Sequence, residues 1–183
     1  TNLAKLNEDR IRDRDKELLS QAQKSLQWAY DALTNDGTKS PPEPDRLNWL
    51  TAARHLLRAN KLASQISEKS TYKTVYEELQ EFWRHKFYVA LKSSELHHSS
   101  YFATRTQTSP GIHPKSALVV IDFSKWKEGV PDPIDSVDQE RMIEDGAVFK
   151  STPGIGLRDY LAEIEEARAK QKPSGSPNNG GKR

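Results

Sequence analysis

The stretch DRLNWLTAARHLLRANKLASQI, Asp45 to Ile66, decides how the first hundred residues fold. Asp45 stands just ahead of an apolar period and can accept from the orphan amides of a first helical turn, so a helix begins there. Trp49, Ala52, Leu56, Ala59, Ala63 and Ile66 recur at alternating steps of three and four, which puts them on one helical face. Leu50, Ala53 and Leu57 form a second stripe beside it. An apolar surface that wide implies a helix covered on two sides, the central member of a bundle.

Neighbours for that helix lie on both sides of it in the chain. Upstream, Leu19, Ala22, Leu26, Ala29 and Leu33 keep the same spacing, with Leu18 and Tyr30 widening the face. The preceding EDRIRDRDKE has Ile11 as its one apolar residue and reads as a solvated helical lead-in. Asn35-Asp36-Gly37 supplies the stop, and the prolines of GTKSPPEP keep the next segment out of a helix. Downstream, a third helix starts near Ser70 to Thr74, where Thr74 and Glu77 have capping-box spacing. Its face is Tyr76, Leu79, Trp83, Phe87 and Ala90, flanked by Tyr72, Val75, Phe82 and Leu91. The short connection from Ile66 predicts that the second and third helices form an antiparallel hairpin.

After Ser99 the texture changes. SSYFATRTQT is β-branched and aromatic, SPGIHP is turn chemistry, and SALVVIDF has the length and branching of a buried strand. A β-hairpin is expected from these, with AVFKST (Ala147–Thr152) as a possible third strand. Ser136 and Gln139 can start a short helix ending at Gly146, and LRDYLAEIEEARAKQ reads as a last amphipathic helix. The expected architecture is thus mainly α. A three-helix antiparallel bundle (1–98) precedes a small α/β appendage (99–171), made of a short hairpin or three-stranded sheet plus two short helices. A disordered basic tail (172–183) follows.

The net charge of +2 conceals an uneven distribution. Arg46 to Lys92 holds nine Lys/Arg against four Glu, Asp122 to Glu166 twelve acids against five bases, and Arg168 to Arg183 five bases and no acid. A basic face therefore exists and permits phosphate contact. Absence of cysteine excludes disulfides and thiolate metal sites. The longest aliphatic run, Ala117 to Ile121, is too short to span a bilayer, and the charged N-terminal segment does not read as a signal peptide. These features point to a soluble, cytoplasmic chain with no membrane partner.

Chemical motifs are sparse. Glu95 and His98 have the Glu-x-x-His spacing of metal-binding helices, and His97 adjoins them, but a second such pair is missing, so the histidines are expected to cap the end of the third helix. Asp122, Asp132, Asp135 and Asp138 read as a solvated acidic segment. No arginine precedes a histidine at the spacing that lets both reach one phosphate in helical RNases. TPGIGLRDYL (Thr152–Leu161) resembles the Gly-hydrophobic-Gly turn of helix–hairpin–helix DNA-binding motifs. It departs from that pattern at Tyr160, where a small residue belongs, and in the extended reading of Ala147–Lys150. A Pro-Gly turn before a helix is the reading retained.

No catalytic residues, metal ligands or cofactor are expected. The sequence points to a non-enzymatic protein-interaction or scaffold module, with an unidentified protein partner or self-association. Its candidate surfaces are the charged start of the first helix, the basic stripe of the second, and a strand edge carrying Leu118, Val120 and Phe123. The alternative is a nucleic-acid-associated protein touching phosphates through Arg54, Arg58, Lys61, Arg84, Lys86 and the basic tail.

Overall fold

A computed structural model describes residues 2–103 and 110–171, which fall into two compact units divided between Glu128 and Gly129. The first holds α1 (Asn2–Thr34), α2 (Arg46–Ala63), α3 (Thr71–Leu91), α4 (Ser99–Ala103) and α5 (Pro114–Ser124), with a 3-10 turn at Ser94–His97.

Local chemistry accounts for the helix ends. Asp45 caps α2 by accepting from the Asn48 amide at 2.8 Å, as its position predicts. Asn35, Asp36 and Gly37 end α1 with left-handed backbones at φ 50°, 54° and 78°, conformations that Asn, Asp and Gly tolerate best. The cap of α3 is Ser70, which accepts from the Tyr72 amide. The helix therefore begins one turn ahead of the Thr74–Glu77 pair.

The core is built from the main predicted stripes, whereas Leu57, Val75 and Phe82 of the flanking ones stand exposed. Ala22, Leu26, Ala29 and Leu33 of α1 meet Trp49, Ala52, Leu56 and Ala59 of α2, all essentially closed to solvent. Burying the Trp49 side chain alone represents about 4–6 kcal/mol of gross transfer free energy, and its Nε1 donates to the Glu43 carbonyl at 3.2 Å. Tyr101 of α4 closes the same end of the core, with its ring edge-on to Trp49 and its hydroxyl donating to the Pro42 carbonyl at 2.7 Å. Burial pushes the Tyr101 pKa up to about 12.

The packing order differs from the predicted hairpin. α1 lies against both α2 and α3, and α5 lies against both as well. The four helices form a ring in which α2 and α3 stand across from each other. They are bridged by polar contacts, Tyr76 Oη donating to Asn60 Oδ1 at 3.2 Å and Lys73 Nζ to the Ala63 carbonyl at 3.3 Å.

No strand occurs among the described residues, which overturns the expected β appendage. The SALVVIDF segment is α5. His113 caps it, Nδ1 accepting from the Lys115 amide at 3.2 Å, and Pro114 occupies the first turn, where a proline is favoured. Ser116, Val120 and Phe123 are buried at helical spacing. Phe123 meets Phe87 edge-to-face with centroids 5.1 Å apart. A short branched apolar run does not distinguish strand from helix by itself; the open side of the bundle and the His113-Pro114 start settle it. Residues 99–103 of the expected first strand form α4, and the rest of that segment lies outside the described residues, as does the expected tail.

The second unit contains a 3-10 turn at Pro133–Ser136, α6 (Gln139–Asp145), a 3-10 turn at Ala147–Lys150 and α7 (Thr152–Gln171). Asp138 caps α6, accepting from the Arg141 amide at 3.0 Å, and Gly146 ends it at φ 66°. The expected third strand, Ala147–Thr152, is the second turn with the start of α7. Gly154 and Gly156 lie inside α7, so the Gly-hydrophobic-Gly turn does not exist. Gly154 is the one buried residue among those described in this unit. A Cβ there would stand 2.0 Å from the Val148 carbonyl oxygen.

Candidate functional site

The sequence-predicted surfaces are distributed unequally. Arg54, Arg58 and Lys61 lie exposed along one side of α2, and Lys86 is exposed on α3 with its ammonium 5.4 Å from the Phe82 ring centre. Arg84 does not join them, because it is 4% exposed. The strand edge disappears with its strand: Val120 and Phe123 are core residues, whereas Leu118 faces outward from α5 at 70% exposure. His97 and His98 do not end α3, which stops at Leu91. His97 belongs to the following 3-10 turn, whose N-cap is Ser93, and His98 comes directly after it. Both are exposed, and no group of three or more His, Asp or Glu side chains poised for a metal occurs among the described residues.

An open cleft of about 810 Å³ lies between the second half of α3, the Ser94–His97 turn, α4 and the end of α5. Such a volume is within the range of ligand pockets. α3 contributes Glu81, Arg84, His85, Tyr88 and Leu91 to its lining, and Lys92 follows directly after the helix. Leu96 and His97 come from the turn and Phe102 from α4. Ile121, Ser124, Lys125 and Trp126 complete it from α5 and the residues after it. Folding α5 as a helix creates this cleft. Phe123 enters the core, and the chain leaving the helix then carries Trp126, half exposed, to the rim.

Arg84 is the unusual group. It stands three residues before Phe87 and so shares the inward side of α3 with a core aromatic. Its Nη1 donates to the Glu81 carboxylate one turn earlier, and its guanidinium carbon lies 5.9 Å from the Phe123 ring centre. Its Nε is buried with no hydrogen-bond partner among the described residues. A buried donor left unpaired costs about 1–3 kcal/mol, which is a large charge on a domain of ordinary stability.

A second, more polar cleft of about 500 Å³ shares Arg84, Lys125 and Trp126 with the first and adds Asn60, Gln80 and Lys127. Lys127 Nζ donates to Gln80 Oε1 at 2.9 Å, holding the chain after α5 against α3. Periodicity assigns Trp83 and Phe87 to the core and Arg84 to the surface. The signal that could have placed it was its position between Gln80 and Phe87, on the side of α3 that has to meet a fourth helix.

On α2, His55 packs edge-on to Trp28 at 5.6 Å. Burial and the adjacent Arg58 charge hold its pKa below the ordinary 6.5. Arg54, Arg58 and Lys61 have no ion-pair partner among the described residues. No described helix is long and apolar enough to cross a membrane. Comparison with protein-family models, curated proteins and solved structures finds no match to this chain.

Proposed function

We propose that this chain is a non-enzymatic protein-interaction module whose working surface is the cleft between α3 and α5. One observation carries the reading. Tyr88 and Trp126, at 57% and 51% exposure, stand in a single concave surface that also contains Leu91, Leu96 and Phe102. Exposed Tyr and Trp in a concave apolar surface are the residue types that dominate interface energetics.

A photo-crosslinking side chain at Tyr88 of the full chain, compared with one at the exposed Lys24 of α1, tests the proposal in the source cells. A discrete protein adduct formed at position 88 and absent at position 24 supports it. Equal labelling at both positions, or none at 88, refutes it. A second reading, nucleic-acid association, rests on the unpaired row Arg54, Arg58 and Lys61. Three phosphate contacts would give a log–log salt slope of roughly −2 to −3, and binding without such a slope removes that reading.

A further inference from the structure

We propose that the occupant of the α3–α5 cleft is an acidic, apolar protein segment, whose Asp or Glu carboxylate pairs with Arg84. This deepens the interaction reading above and rests on it.

Three features converge. The first is the orphaned guanidinium. Glu81 uses Nη1, while Nε has no partner among the described residues. Arginine's planar fork suits a two-pronged contact with a carboxylate. Nε itself is closed to solvent, so a ligand carboxylate reaches it when the guanidinium turns toward the cleft; it would then pair this donor and add a charge-assisted bond in a largely dry setting.

The second is charge. The cleft lining carries Arg84, Lys92 and Lys125 against the single carboxylate of Glu81, so a second carboxylate enters a cationic environment. Lys92 and Lys125 are exposed, and so are placed to draw in an acidic segment from solution.

The third is the wall. Tyr88, Leu91, Leu96, Phe102 and Trp126 give apolar surface to the side chains flanking the acid. A uniformly acidic peptide would leave this wall uncovered, and a purely apolar one would leave Arg84 unpaired. Nucleic acid satisfies the charge, but its closely spaced phosphates find only three cations and one opposing carboxylate here.

Selection of a random displayed octapeptide library on the immobilised full chain tests the idea without presuming a sequence. Enriched peptides should carry Asp or Glu beside Leu, Phe, Tyr or Trp. Replacing that acid by its amide should weaken binding at least tenfold. Arg84→Met should erase the tenfold preference, and the double variant Lys92→Glu/Lys125→Glu should weaken acidic peptides with no core residue touched. The double variant keeps the test decisive if Arg84→Met fails to fold.

Enriched peptides without an acid, or with affinity indifferent to both variants, overturn the carboxylate inference. If they still compete with crosslinking at position 88, the interaction proposal survives it. No enrichment together with no crosslink at 88 sinks both.

Discussion

Substitution of two residues on α5 separates a helix from a strand by energy alone. On a strand, Leu118 and Val120 would share a face and respond alike. On the observed helix they diverge, since Val120 is fully closed to solvent and Leu118 is 70% exposed. Val120→Ala removes two carbons from the core at about 0.8 kcal/mol each, or about 1.6 kcal/mol of transfer free energy. The cavity left beside Phe123 and its neighbours raises the expected loss to about 2–3 kcal/mol. Leu118→Ala should change stability by less than about 0.5 kcal/mol, helped by the better helix propensity of alanine. Urea unfolding followed by circular dichroism, with the slope unchanged, measures both. Equal losses for the two variants, or a larger loss for Leu118→Ala, would refute the placement of α5 and with it the cleft.

Two further outcomes follow from buried contacts. Asp15 of α1 is closed to solvent, accepting from the Ser67 amide at 3.3 Å and from Arg14 at 3.2 Å. Burial opposes its ionisation, but the hydrogen bonds of Ser67 and Arg14 and the Arg14 charge outweigh it and hold the pKa below the ordinary 3.8. Its contribution is therefore complete above pH 3.8 and is lost as pH falls through the lower folded value. The stability difference between wild type and Asp15→Asn should shrink in acid in urea titrations, and a difference that grows there contradicts the assignment. Gly154→Ala would raise the stability of an ordinary helix by about 0.5–1 kcal/mol. Here the added Cβ meets the Val148 carbonyl, so amide exchange in 147–171 should instead accelerate, and slower exchange would show that the turn yields freely.

Particular residues show where the sequence sufficed. The alternating stripes of the first two helices, the Asp45 cap and the Asn35-Asp36-Gly37 stop are short-range features. Each is set by contacts within about one turn of chain, so they could be read directly. Asp15 could not. Among the mixed charges of EDRIRDRDKE nothing distinguishes it from Asp13, and only the arrival of the α2–α3 connection at Ser67 makes it a buried acceptor. Arg84 is inconspicuous in the sequence for the same reason. Its neighbours in sequence, Trp83 and His85, are half-buried and exposed, and its burial is decided by Phe123, which lies 39 positions further on.

The sequence by itself determined three amphipathic helices, the Asp45 cap of the second and a core of Leu, Ala and Trp, because helical periodicity and capping are local. Only the tertiary structure decided what SALVVIDF would become. That run satisfies either a strand or a helix locally, and the free energy separating the two comes from the unfilled face left by α2 and α3. Once α5 fills that face, Phe123 closes over Arg84 and Trp126 reaches the rim. The cleft proposed as the working surface is thus a product of packing among segments far apart in the chain, and no single stretch of residues encodes it.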